Sequence, residues 1–217
     1  MNEYLILRLK GVLQSWGGHT FEDFRPSNLF PTRSGLVGLL AACLGIDRKD
    51  IEKQKALTDS FLYAVRVDNM PFRFYKITDF HTVLKARRVS GKAGDDPVVS
   101  RREYLCDASF TVAMRFSDRA AFDSQRIVKF LQKPVFTPFL GRRSCPLSVP
   151  PFHSVVQAES LIEALSQVDP CCGTIYSEVD KNDNHFIVRD VPLCNGKRQF
   201  ATRTVYIHSP GGLYVSE

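Results

Sequence analysis

An apolar stretch from Pro31 to Gly45 constrains the fold of this chain more than any other segment. Its large apolar side chains recur at helical spacing, at Leu36, Leu39, Leu40, Cys43 and Leu44. Pro31 and Ser34 are typical of a helix start, and Gly45 stands where a left-handed residue ends a helix. The pattern predicts a buried amphipathic helix against which the remaining elements must pack.

The entrance to this helix has two interpretations. Thr32, Arg33, Ser34 and Gly35 place a guanidinium, two hydroxyls and free backbone N–H groups at the positive end of the helix dipole. Such an end favours a phosphate group. A simple Ser34 N-cap beside a solvated Arg33 explains the same residues, and the motif alone does not choose between them.

Alternating apolar residues predict strands around this helix. The predicted order is a strand Tyr4–Lys10, the helix, strands Phe61–Val67 and Ser109–Phe116, a helix from Asp118 to Gln132, and a fourth strand near Val135 to Leu147. This β-α-β-β-α-β order indicates an α+β, ferredoxin-like fold. We expect its helices to cover one face of the sheet and to leave the other free, since the first strand alternates between apolar and partly polar faces.

The chain after Pro150 follows a different pattern. One short helix, Glu159 to Gln167, precedes strand candidates at Thr174–Val179, His185–Val191 and Gln199–His208. We expect a smaller, mostly β part, packed on the first.

The segment from Lys85 to Arg102 is basic, contains Gly91, Gly94 and Pro97, and carries almost no large apolar side chain. Because it cannot bury much surface, we expect it to project. Arginine doublets occur here and further along the chain, at Arg87-Arg88, Arg101-Arg102 and Arg142-Arg143. Guanidinium groups suit phosphate and stack on bases, so the doublets favour RNA binding over solvated surface charge, which remains the alternative.

Two of these doublets lie in informative motifs. Gly141, Arg142, Arg143 and Ser144 predict a turn that can approach a polyanion closely. Tyr104 follows the other doublet, and an aromatic ring beside two cations can stack a base and hold its phosphate. A core position at the start of a strand explains Tyr104 equally well.

Composition narrows the class of protein. The net charge of +6 and the pI near 9.1 indicate a moderate bias toward polyanions. No apolar run approaches the roughly 20 residues of a membrane span, and no signal-peptide pattern begins the sequence, so we expect a cytoplasmic protein. The six cysteines lack zinc-site spacing, and we expect reduced, mostly buried thiols.

The sequence offers little support for catalysis. It has no GxxxxGK[ST], GxSxG or strand-linked GxGxxG motif, and its five histidines lie in separate segments without metal-site spacing. We therefore expect no enzyme activity, no cofactor, no metal and no small-molecule substrate. Two alternatives stay open: a metal-independent ribonuclease using His81 or His19 with Lys85 or Tyr104, and an assembly module whose arginines meet protein carboxylates.

Four segments together carry a resemblance to a known family. They are Tyr4-Leu-Ile-Leu-Arg-Leu9, Phe30-Pro-Thr-Arg-Ser-Gly-Leu36, Arg102-Glu-Tyr-Leu-Cys-Asp-Ala-Ser-Phe-Thr-Val112 and Leu140-Gly-Arg-Arg-Ser-Cys-Pro-Leu147. With them the chain closely resembles the RAMP-type subunits that hold the 5′ handle of the guide RNA in type I-E CRISPR Cascade complexes.

The resemblance implies an RRM- or RAMP-like palm over residues 1–80 and 104–149, a projecting basic thumb hairpin over 81–103, and a small C-terminal β-rich part over 150–217. It implies a non-catalytic subunit that grips the crRNA 5′ handle, caps the filament of backbone subunits, meets the large subunit, and inserts its thumb at the guide-target DNA duplex near the guide start. The residues expected to contact RNA are Trp16, Arg25, Arg33, Ser34, Gly35, Lys85, Arg87, Arg88, Arg101, Arg102, Tyr104, Arg142, Arg143, Ser144 and Arg198.

Overall fold

The computed structural model describes residues 1–68, 74–86, 96–117, 120–195 and 199–209. Its main sheet has seven strands, and every neighbouring pair is antiparallel. In spatial order they are β10 (Phe152–Ala158), β1 (Asn2–Lys10), β9 (Ser109–Phe116), β6 (Phe61–Val67), β11 (Ile175–Ser177), β13 (Phe200–His208) and β12 (His185–Pro192).

Four of these strands and two helices form the predicted ferredoxin-like unit. In chain order it runs β1, α1 (Arg33–Leu44), β6, β9, α3 (Ser124–Gln132) and β10, and a short helix α2 (Ile51–Thr58) precedes β6. The spatial order β10-β1-β9-β6 places the first and third strands at the centre. The α+β, ferredoxin-like prediction is therefore confirmed.

The fourth strand lies further along the chain than predicted. It spans Phe152–Ala158, whereas residues 135–147 form turns with one isolated bridge between Phe139 and Pro146. Pro138 and Pro146 lie inside that segment, and a proline cannot donate a ladder hydrogen bond. The palm was expected to end at residue 149. Because β10 lies beyond that residue, a boundary there would separate β10 from the sheet to which it belongs.

The apolar stretch forms helix α1 as predicted, but its cap differs. Thr32, not Ser34, is the N-cap, and its hydroxyl accepts a hydrogen bond from the Gly35 N–H at 3.3 Å. Gly45 ends the helix at φ 72°. The other long helix, α3, also begins later than predicted, because the Asp123 carboxylate caps it by accepting from the Arg126 N–H at 2.6 Å.

The second face of the sheet is not free. A short helix, α4 (Leu161–Ser166), covers Tyr4 and Ile6, which are fully buried. The guanidinium of Arg66, itself fully buried, donates to the carbonyls of Leu165 and Val168 at the end of this helix. The half-polar alternation of the first strand therefore reflects a second small core rather than a solvated face.

A separate small sheet lies beside the main one. A long hairpin pairs β7 (Tyr75–Val83) with β8 (Val98–Cys106), and the other edge of β8 pairs with β2 (Leu13–Gln14) and β4 (Phe24–Arg25). Two further short strands, β3 (Trp16–Gly17) and β5 (Ser27–Asn28), form a ribbon. Of the basic segment expected to project, Lys85 to Arg102, the last five residues belong to β8, and residues 87–95 lie outside the described ranges.

The C-terminal strands follow the predicted positions closely. They extend the main sheet, since β11 pairs with β6, so this region does not form a sheet of its own. The cysteines differ from expectation, because only Cys43 and Cys145 are buried, while Cys171 and Cys172 are exposed in the loop after α4.

Candidate nucleic-acid interface

Four of the residues predicted to bind RNA lie together at the small sheet around β8. Arg25 is opposite Arg102 in the pairing of β4 with β8, and Ile77 is opposite Tyr104 in the hairpin. Paired residues in neighbouring strands point to the same face of a sheet, and alternate residues along one strand do so too. Arg25, Arg102 and Tyr104 therefore share one face. The Tyr104 side chain is only 3% exposed and belongs to the main core, which confirms the core interpretation of this residue.

A fourth predicted residue reaches this face from the turn after α3. Gly141 has φ 84°, and a Cβ there would lie 1.7 Å from the Ser15 carbonyl oxygen, so this close approach requires glycine. The backbone N–H of Ser15 donates to the Leu140 carbonyl at 3.1 Å and fixes the turn in place. Arg142 is thereby held over the small sheet.

The Arg142 guanidinium makes two contacts with that sheet. Its Cζ atom lies 4.5 Å from the centroid of the Tyr104 ring, and its Nη2 donates to the Arg25 carbonyl at 3.0 Å. A cation over an aromatic face is attracted by the ring quadrupole. We call the set Arg25, Arg102, Tyr104 and Arg142 the arginine face.

The arginine face carries positive charge that neutral groups hold in place. Within the described part of the chain, Nη1 of Arg142 is a buried donor without a hydrogen-bond partner. Nε of Arg102 donates to the Ser100 hydroxyl at 3.0 Å, and Nη1 of Arg25 donates to the Glu22 carbonyl at 2.6 Å. The carboxylates of Glu22 and Asp23 line the same groove, and Asp79 is opposite Arg102 in the hairpin. The guanidinium groups of this face can still attract a phosphate, because their printed hydrogen bonds go to neutral groups.

A shallow groove of about 370 Å³ opens on this face. Its lining includes the cations Arg25 and Arg102, the carboxylates of Glu22 and Asp23, and the apolar side chains of valines at 83, 98 and 99. Such a groove combines contacts for a phosphate with an apolar surface for a base.

Other predicted residues surround the arginine face without joining it. Arg143 and Ser144 are exposed on the turn that carries Arg142, and Lys85 is exposed beyond the end of β7. Arg101 alternates with Arg102 and so points to the opposite face, where its Nε lies 3.1 Å from a carboxylate oxygen of Asp23. That pair holds the pKa of Asp23 below its usual value, chiefly through the side-chain hydrogen bond. Arg87, Arg88 and Arg198 lie outside the described residues.

One histidine adjoins the arginine face. Nε2 of His81 lies 3.4 Å from the Tyr104 hydroxyl and 2.7 Å from a carboxylate oxygen of Asp79. The hairpin therefore brings together two of the residues named for the ribonuclease alternative.

Trp16 has a different position from the one predicted. It is fully buried, and its indole N–H donates to the side-chain oxygen of Gln14 at 3.0 Å. Gly35 packs against it, since a Cβ at that position would lie 2.7 Å from the indole ring. Trp16 belongs to the core, whereas Gly35 and Ser34 are half-buried, and the Ser34 hydroxyl lies 3.4 Å from that of Thr32.

Arg33 is also buried, with 8% of its surface exposed. Its Nη1 donates to both carboxylate oxygens of Glu178 at 2.7 Å. Its backbone N–H donates to a carboxylate oxygen of Asp190 at 2.8 Å. The helix entrance predicted to receive a phosphate is therefore occupied by carboxylates of the chain itself, which satisfy the same N–H groups and dipole.

A second arginine completes this arrangement. Arg203 contacts Asp190 at 2.7 Å and Glu178 at 3.3 Å, and its Nη2 donates to the Tyr63 hydroxyl at 2.6 Å. Burial alone would lower the pKa of Arg203, but Tyr63 and the two carboxylates raise it above its usual value. We call Arg33, Glu178, Asp190 and Arg203 the buried ion network.

Sequence reasoning missed Glu178, Asp190 and Arg203. Glu178 and Asp190 lie 145 and 157 positions from Arg33, and nothing in the local sequence links them. Only pairing of the C-terminal strands with the sheet brings them to the helix. Across the described ranges, no group of three or more His, Cys, Asp or Glu side chains could hold a metal ion, and no helix is long and apolar enough to cross a membrane.

Comparison with known proteins identifies the class. Residues 4–206 match the family described as CRISPR-associated protein (Cas_Cas5). The chain therefore belongs to this family of CRISPR-associated proteins.

One curated protein and two solved structures show which members of the family this chain is similar to. The chain is 45% identical to the CRISPR system Cascade subunit CasD of Escherichia coli (strain K12), over 100% of both chains. It is also similar to a chain of a CRISPR RNA-guided surveillance complex, with 25% identity, a TM-score of 0.71 and coverage of 94% of this chain and 89% of that one. A crystal structure of a Cas protein matches with 29% identity, a TM-score of 0.65 and coverage of 94% and 93%.

Proposed function

We propose that this chain is a non-catalytic, crRNA-binding subunit of a type I-E Cascade surveillance complex, and that it holds the 5′ handle of the guide RNA. The arginine face carries the proposal, because it gathers three guanidinium groups, one of them supported by the buried Tyr104 ring, at a groove that also has apolar walls. Single-stranded RNA is recognised through phosphate contacts together with contacts to its unpaired bases. The likeness to CasD supplies the type of complex.

The same proposal assigns positions to its partners. The subunit caps the filament of backbone subunits, meets the large subunit, and extends the hairpin of β7 and β8 toward the guide-target duplex near the guide start. We expect the complex to act in the cytoplasm in antiviral DNA recognition. Exposed apolar side chains along the hairpin support a contact role for it, among them Tyr75, Phe80 and Leu84.

The test is binding of labelled CRISPR repeat RNA to the purified chain without metal, read by gel shift and by denaturing gel. We expect a shifted band that contains intact RNA. The same measurement with the assembled complex covers the case in which neighbouring subunits complete the site. Failure to bind RNA in both forms would contradict the proposal.

The contact between His81 and Tyr104 supports a second candidate, a metal-independent endoribonuclease. A histidine beside a tyrosine and a cation can move the protons of RNA cleavage. Site-specific cleavage of the repeat RNA that disappears in His81→Ala would establish it. If wild type and His81→Ala both leave the RNA intact, the catalytic alternative is removed while the binding proposal stands.

A further inference from the structure

A tight turn at the rim of the groove carries an exposed aromatic ring. The backbone N–H groups of Phe21 and Phe24 each donate to the other's carbonyl, at 3.2 and 2.7 Å. Between them, Glu22 adopts φ 45°. The Phe21 side chain is 70% exposed, whereas Phe24 is half-buried and Trp16 of the same loop is fully buried.

The turn is fixed to the small sheet on both sides. The backbone N–H of Arg101 donates to the Asp23 carbonyl at 3.0 Å, and the two side chains are paired. From the other side, Arg25 binds the Glu22 carbonyl. A ring held on such a turn loses little conformational entropy when a partner packs against it.

The surroundings of Phe21 favour nucleic acid as that partner. Arg25, Arg101 and Arg102 lie on the strands that hold the turn, against the carboxylates of Glu22 and Asp23. Asp79 lies opposite Arg102 in the hairpin, and Arg142 reaches the Arg25 carbonyl. Four guanidinium groups therefore stand against three carboxylates in this region, and its net charge is positive. The ring of His19 lies 6.3 Å from that of Phe21, at an angle of 48°, and adds a second aromatic group.

We propose that Phe21, with His19 beside it, is a stacking platform for an unpaired base of the bound RNA, next to phosphates held by the arginine face. This inference rests on the proposed function and adds a contact at the rim of its groove. It commits to a nucleobase rather than to an apolar pocket of a neighbouring subunit, because of the surplus of arginines around the ring.

The test uses CRISPR repeat RNA in which 2-aminopurine replaces one adenine at a time. Stacking on an aromatic ring quenches this base. We expect quenching at one position on binding to wild type, loss of that quenching in Phe21→Ala, and roughly 5- to 100-fold weaker RNA binding. Phe21→Trp should keep both the quenching at that position and the RNA affinity of wild type. Phe136→Ala is the matched control, since Phe136 is also exposed, at 57%, but lies beyond α3.

The outcomes separate the two proposals. If wild type binds the RNA, and Phe21→Ala binds every labelled RNA with the same affinity and the same quenching, the stacking platform is overturned and the proposed function stands. If wild type binds no RNA, alone or in the complex, both are overturned. If Phe21→Ala keeps its RNA affinity but no longer assembles with the other subunits, the ring contacts protein and the inference is wrong.

Discussion

Arginines occupy two opposite environments in this chain. In the buried ion network, Arg33 and Arg203 contact Glu178 and Asp190, so their charge is neutralised inside the fold. On the arginine face, the contacts of Arg142 are a ring and a carbonyl, which leave its charge uncompensated. The same residue type therefore fixes strands in the first region and remains available for an anion in the second.

This difference between the partners of the arginines explains why the sequence motif at the start of α1 wrongly predicts a phosphate site. Arg33, Ser34 and Gly35 have the composition of a phosphate site, yet carboxylates from distant strands satisfy it. The turn around Arg142 has a similar composition, but its contacts come from backbone and aromatic groups. What separates a structural arginine from a binding arginine is the charge of its partners, which only the tertiary fold supplies.

Glu178→Ala tests the buried side of the comparison and should have the largest effect. It leaves Arg33 and Arg203 with fewer carboxylate partners inside the fold, so we expect the free energy of unfolding to fall by about 3–5 kcal/mol. Denaturant titration measures this. Asp59→Ala, which breaks an exposed pair with Lys55, is the control and should leave the midpoint unchanged. Equal midpoints for Glu178→Ala and wild type would show that the network contributes little.

Changing Arg142 and Arg143 together to Ala tests the other side. We expect roughly 10- to 100-fold weaker RNA binding, from lost charge-assisted contacts, without unfolding of the protein. The control is Arg126→Ala, because Arg126 also lies over a ring, that of Phe122 at 5.2 Å, but on α3. Unchanged RNA affinity alongside a normal melting curve would remove the arginine face from the proposed site.

A smaller effect should appear in the salt dependence of binding. For single-stranded RNA, the slope of log affinity against log salt is about −0.7 per phosphate contact. Arg143→Ala should therefore make the slope shallower by about 0.7 if Arg143 binds a phosphate. Affinities measured at several salt concentrations give this slope. A slope equal to that of wild type would place Arg143 outside the RNA contact, and would favour the assembly-module alternative if the other arginines behaved alike.

The sequence predicted most of the fold for physical reasons that are local. Alternation located β1, β6 and β9, and helical spacing located α1, because each pattern depends on neighbouring residues. The prediction failed at β10, whose position is not marked by a pattern of neighbouring residues. The site divides in the same way, since Arg102 and Tyr104 share a strand, whereas the burial of Trp16 and Arg33 depends on elements far along the chain.

The smallest effect concerns the surface pair that fixes the turn of Phe21. Asp23 has a pKa lowered by Arg101, so its contribution to stability is present above the unfolded pKa of about 3.9 and is lost as pH falls through the folded value. Asp23→Asn should therefore differ slightly from wild type at neutral pH and match it in acid. Denaturant midpoints across this range measure the difference. Asp23 and Arg101 are exposed to solvent, so the difference in midpoint between Asp23→Asn and wild type should stay below that of Glu178→Ala at every pH. A larger difference would mean that the turn depends on this pair more than its exposure implies.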